Sequence, residues 1–172
     1  MAALDDTLAA WRDLLADGAE PARTALAGDS AGGWLALTAA LGLVSPWLDL
    51  LGTAWPADRS DAMLRPSWLR RCAAGFAPGA DLAGADLAPL DADLAGLPAL
   101  VVHVGSEEIL LPDAVRLAVA ARAAGVPVEL RRWDGLWHVA HASAGMVAAS
   151  TTAVHALGTS LAAHLSPAAA RS

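Results

Sequence analysis

Gly28-Asp29-Ser30-Ala31-Gly32-Gly33 lies between a short apolar run, Thr24 to Ala27, and a second, Trp34 to Leu41. A serine flanked by Gly28 and Gly32 fits G-x-S-x-G, the pattern of a strand-to-helix turn too tight for side chains at the glycine positions. Such a turn needs a strand before it and a helix after it. It lifts the Ser30 hydroxyl out of the sheet and aims the first backbone N–H groups of the helix at whatever binds there. The plainer reading is a serine that only caps the helix, which serine does well.

A serine hydroxyl is a poor nucleophile at neutral pH and needs a base that is itself oriented by a third group. Candidates follow in a suggestive order. The acidic cluster Glu107, Glu108 and Asp113 comes after the apolar run Ala99 to Val104, and His138 comes after Val128 to Trp133. Glu108 is nearer the strand end than Asp113 and better placed to meet a histidine on the neighbouring loop. Asp113, beside Pro112, has a sufficient role as a first-turn helix acid, and Glu107 reads as solvated. His141 is a decoy three residues past His138. His155 and His164 fall on the polar face of the last helix, and His103, inside a strand, reads as a satisfied core histidine.

The rest of the chain supplies a frame. Leu4, Leu8, Trp11 and Leu15 recur at helical spacing, predicting an amphipathic helix that ends near Gly18. Pro21 to Ala27 is the strand feeding the turn. Only 11 residues, Trp34 to Val44, come before Ser45-Pro46, whereas a parallel crossover usually needs a dozen or more, so either the helix or the returning strand must be short. Leu50 to Arg65 reads as loop. A helix starts at Pro66-Ser67, with Trp68, Leu69, Cys72 and Phe76 as its buried face. A long Ala/Asp/Gly/Leu loop follows, whose Asp-Leu-Ala echo is compositional bias. Ala99 to Val104 is a buried strand, Pro112-Asp113 opens a helix that Gly125 stops, and Val128 to Trp133 is a strand. Ala144 to Leu165 is a helix burying Val147, Val154, Leu157, Leu161 and Leu165. Alternating strands and helices predict one α/β domain, 1–172, with a mainly parallel sheet flanked by helices.

Composition narrows the function. A net charge of −7 without a Lys/Arg run disfavours nucleic acid and anionic membranes. The single cysteine, Cys72, excludes an intramolecular disulfide. Mean hydropathy of +0.45 forces a membrane check. The uncharged stretch Ser30 to Leu48 contains a Gly pair, Thr38 and Ser45-Pro46, and reads as buried helix plus buried strand rather than a span. Asp5 and Asp6 stand where a signal peptide would be basic and then apolar, which predicts cytoplasmic residence. His138 and His141 alone are two ligands short of a structural zinc site, and no metal or cofactor is called for.

Gly28-Asp-Ser-Ala-Gly-Gly33, Ser45-Pro-Trp-Leu-Asp49, Gly105-Ser-Glu-Glu-Ile-Leu-Leu-Pro-Asp113 and Trp133-Asp-Gly-Leu-Trp-His-Val139 resemble four landmarks of the hormone-sensitive-lipase-like α/β-hydrolases, the bacterial acetyl-hydrolase and esterase branch. They come in that family's order and cover nearly the whole chain, matching the C-terminal part of a larger sheet. The resemblance implies a carboxylic ester hydrolase acting on short acyl esters. Its triad would be Ser30, His138 and Glu108, with Asp113 as the alternative acid.

The family's His-Gly-Gly-Gly oxyanion loop and its lid have no counterpart before Ser30, which leaves the Ala31 N–H, with Gly32, as donor. Trp34 stands where the family usually has a small polar residue. A rival reading is a truncated relative that keeps the triad but acts as a binding or assembly module. The strand feeding the serine turn, or elbow, would then be an exposed edge. The stretch from Gly135 to Ala170 holds no Asp, Glu, Lys or Arg, so this edge and the last helix together predict homo-oligomers or another partner.

Overall fold

The computed structural model of the chain describes residues 2–37, 40–56, 61–84 and 87–165. Its elements are α1 (Ala2–Ala16), β1 (Leu26–Asp29), α2 (Ser30–Ala36), β2 (Ala40–Val44), α3 (Pro66–Phe76), β3 (Leu100–Gly105), α4 (Leu111–Ala123), β4 (Val128–Trp133) and α5 (Ala148–Leu165). The four strands are all parallel and stand in the order β1-β2-β3-β4. Chain order and spatial order coincide in this sheet.

The short connection after the serine turn is resolved by shortening the helix. α2 has 7 residues, about 10 Å of rise, and the chain returns at once into β2. The strand before the turn begins later than the sequence predicts. Pro21–Arg23 forms a turn of 3-10 helix, and β1 runs through Asp29, which pairs with Val44. Proline's fixed φ and missing N–H suit the helical turn better than the strand start.

β3 is buried along its whole length, as expected of a parallel strand covered on both faces. Alternation sends Leu100, Val102 and Val104 to one face, where they join Trp34, Leu43, Leu48, Leu110 and Leu117 in the main core. α2 and α4 lie on that side. On the other face α5 approaches closely: Leu161 would stand 3.1 Å from a Cβ at Gly42, and Ser160 donates to Glu129 at 2.9 Å.

Two helix faces differ from expectation. α3 buries Leu69 and Ala73, while Trp68 is 54% exposed. α5 begins at Ala148, after a 3-10 turn at Ala140–Ser143. It buries the small residues Ser150, Ala153 and Ser160 and leaves Val154 exposed. Small side chains let this helix sit close to the sheet, so size rather than hydrophobicity chose its inner face. Residues 57–60 of the loop after β2, Thr38, and Ala85-Asp86 of the echo lie outside the described residues. Among the described residues no helix is long and apolar enough to cross a membrane.

Candidate active site

The C-terminal ends of the four strands each deliver one polar group. Ser30 follows β1 directly. Gly28 makes this possible, because a Cβ there would lie 2.2 Å from the Gly32 carbonyl oxygen. Gly32 itself has room for a side chain, since a Cβ there would meet its nearest neighbour atom at 4.0 Å; it is Gly33, where a Cβ would lie 2.9 Å from the Pro46 Cβ, that is pressed close. Ser30 adopts φ 49°, a left-handed conformation that non-glycine residues seldom take outside special sites.

The expected partners converge on it. Ser30 Oγ lies 3.0 Å from His138 Nε2, and His138 Nδ1 lies 3.2 Å from Glu108 Oε2. Glu108 is 1% exposed, so its carboxylate depends on local donors. The Gly105 N–H and the Ser45 hydroxyl donate to Oε1 at 2.6 and 2.7 Å. Ser45, at the end of β2, also accepts from the Val139 N–H at 3.1 Å. Reading the sequence missed Ser45. Its only cue was its place in Ser45-Pro46-Trp47, one residue past an apolar run.

Asp113 is separated from this string. Its Oδ2 accepts the Leu48 and Asp49 N–H groups at 2.8 and 2.9 Å, clamping the loop after β2. Burial pushes its carboxyl up to about 6 against those two donors, and the neighbouring Asp49 charge adds to the rise. Its role is therefore more than that of a helix-turn acid. Glu107 is exposed and accepts from Ser106 Oγ.

His141 turns away from Ser30. Its Nε2 lies 3.0 Å from Nδ1 of His103, and the Trp133 indole N–H donates to that Nδ1 at 3.2 Å. His103 is only half satisfied, since its Nε2 has no hydrogen-bond partner among the described residues. Burial, then the proximity of His141 and Arg131, pulls the His103 imidazole down to about 4. Burial likewise lowers His141, against the pull of the Glu108 carboxylate. His155 and His164 are exposed on α5.

Beside the serine turn, an apolar cavity of 160 Å³ is lined by Ala31, Trp34, Leu35, Trp47, Leu50, Cys72 and Phe76. Trp34 and Phe76 meet edge to face, with ring centroids 5.7 Å apart. Among the described residues no three His, Cys, Asp or Glu side chains are grouped to hold a metal ion.

A parallel sheet carrying a serine on a strand-to-helix turn, with a histidine and a buried carboxylate from later strand ends, defines a class of hydrolase scaffold. The chain belongs to the α/β-hydrolase-fold family, whose model matches residues 1–142. It is 39% identical over 156 residues to an acetyl-hydrolase of Streptomyces hygroscopicus, covering 81% of this chain and 52% of that one. It is 35% identical over 181 aligned positions to the carboxylesterase/phospholipase LipF of Mycobacterium tuberculosis, covering 91% and 48%. A solved hormone-sensitive lipase from a metagenome library superposes with a TM-score of 0.89 at 37% identity, over 96% of this chain and 61% of the other. The chain thus spans about half the length of the curated relatives it matches.

Proposed function

We propose that the chain is a carboxylic ester hydrolase working through an acyl-enzyme on Ser30. The observation that carries this reading is the continuous string from Ser30 Oγ through His138 to Glu108. His138 Nε2 takes the Ser30 proton as Oγ attacks the ester carbonyl, and Glu108 holds the imidazole at Nδ1. The Ala31 N–H, with Gly32, meets the developing oxyanion, since first-turn N–H groups have no partner within their own helix. His138 then returns the proton to the leaving alcohol. In the second half-reaction it deprotonates the water that releases the acid from Ser30.

The cavity supports short acyl chains. The leaving oxygen must stay near His138, which is not in the cavity wall, whereas Ala31 is; the acyl group is what the cavity receives. An apolar cavity of about 150 Å³ holds a benzene-sized guest, so a volume of 160 Å³ suits acyl groups of up to about six carbons.

A second reading, a binding or assembly module that keeps this geometry without turnover, is favoured by β1 standing at the sheet edge. Labelling with a fluorophosphonate probe separates the two. Covalent capture of Ser30, lost in Ser30→Ala, together with turnover of p-nitrophenyl acetate, supports the hydrolase. Capture without turnover supports the module.

A further inference from the structure

We infer that Ser45 is a positioning residue that holds the Glu108 carboxylate and the His138 backbone in one register. The Val139 N–H can only donate, so Ser45 Oγ accepts from it at 3.1 Å. That leaves the Ser45 O–H to donate to Glu108 Oε1 at 2.7 Å. Oε1 also receives the Gly105 N–H, so both of its donors come from the sheet side. Oε2 is then the oxygen turned toward His138 Nδ1. One hydroxyl therefore fixes the carboxylate's rotation and, through Val139, the residue next to His138.

The backbone at these points is specialised. Among the described residues, the non-glycine residues with positive φ are Ser30, Ser45 and Val139, at 49°, 49° and 50°. All three belong to the same hydrogen-bonded string. Such conformations persist where the surroundings over-determine them. Ser45 is 1% exposed, and its own N–H donates to the His103 carbonyl at 2.7 Å. Any residue could supply that backbone bond. Only a hydroxyl of this reach supplies the other two.

The catalytic consequence rests on the hydrolase reading, whereas the geometric one does not, and Ser45→Gly tests both. Glycine takes φ 49° without strain, so the variant removes the hydroxyl and keeps the turn. Proton NMR of the full chain reads the His138 Nδ1–H as a far-downfield resonance, assigned by its loss in His138→Ala. In Ser45→Gly this resonance moves upfield and broadens while a cooperative thermal transition persists. On p-nitrophenyl acetate kcat falls about tenfold or more, because small misplacements of catalytic groups are costly, while KM stays within about twofold. An unchanged resonance and kcat overturn the inference, as does a wild-type chain lacking the resonance or a variant that no longer folds cooperatively. A wild-type chain that hydrolyses nothing, but whose resonance responds to Ser45→Gly, sinks the hydrolase reading and leaves the positioning role standing.

Discussion

Ser30 Oγ and His138 Nε2 stand 3.0 Å apart although 108 residues separate them. The contact spans the whole sheet, from the residue that follows β1 to the loop that leaves β4. Nothing local to either residue holds it. It is maintained by the parallel register of the strands between them and by the string of hydrogen bonds on Glu108.

Groups that act as one unit give non-additive losses. Ser30→Ala and His138→Ala are each expected to lower kcat on p-nitrophenyl acetate by about 10⁴-fold or more, and the double variant to be no worse than either. Multiplicative losses in the double variant would mean that the two side chains act independently.

Two buried groups oppose each other in the pH dependence of stability between about pH 4 and pH 6. Asp113 is raised in the fold, to about 6, so the folded chain holds its proton longer than the unfolded one. Its contribution is full below the unfolded value near 3.8 and is lost as pH rises through about 6. His103 is lowered to about 4; its neutral form favours the fold above the unfolded value near 6.5, and stability is lost as pH falls toward 4. Each is worth roughly 3 kcal/mol, so the two nearly cancel in this window, and the lowered His141 leaves a shallow loss of stability on acidification. Asp113→Asn keeps an acceptor for the Leu48 and Asp49 N–H groups and removes one side of the balance. Denaturant melts should then show stability falling on acidification from pH 6 to 4. A variant profile no steeper than that of the wild type would show that the two groups do not oppose each other.

Acyl-chain preference should report the Trp34 side chain. p-Nitrophenyl esters from acetate to hexanoate are expected to turn over, with a steep fall in kcat/KM beyond about six carbons. Trp34 is 6% exposed and packs on Phe76. Trp34→Ala is therefore expected to extend the optimum to longer chains while costing about 3–5 kcal/mol of stability. A wild-type preference for long-chain esters would contradict the assignment of the cavity to the acyl group.

β1 stands at the edge of the sheet, with no strand on its outer side among the described residues, and its Ala27 and Asp29 are exposed. Met63, Trp68, Val119 and Met146 add exposed apolar surface. Open edges and apolar patches are sites of association. Size-exclusion chromatography with light scattering is expected to show dimers or larger species. A monodisperse monomer with a cooperative thermal transition would refute this.

The elbow was legible in the sequence because its geometry is local: a close backbone crossing demands glycine, and Gly28 supplies it. β3, α4 and β4 were legible through apolar runs bounded by Pro112 and Gly125. The face of α3 was not. Trp68 and Phe76 are large and apolar, yet Leu69 and Ala73 meet the core, and which face is covered depends on distant segments. The apolar face read for the last helix omits Ser150, which is fully buried in α5, because the helix approaches too closely for larger residues. The role of Ser45, though not its place in a landmark motif, was invisible for a related reason. Its hydroxyl acquires meaning from Glu108 and Val139, 63 and 94 residues away.

The four strand ends supply Ser30, Ser45, Glu108 and His138 in the order in which the strands stand side by side. Three spacings of about 4.8 Å separate β1 from β4, about 14 Å in all, and the segment between Trp133 and Val139 has to reach back over β3 and β2 to close the gap. It acts as a strap buckled at one edge of the sheet. Were β4 to unzip from β3 while the core held, His138 would be carried off first. Partial openings of this kind precede global unfolding in most domains. Ester turnover would thus serve as a gauge of whether that outer edge is shut, and should fade on warming before the sheet itself melts.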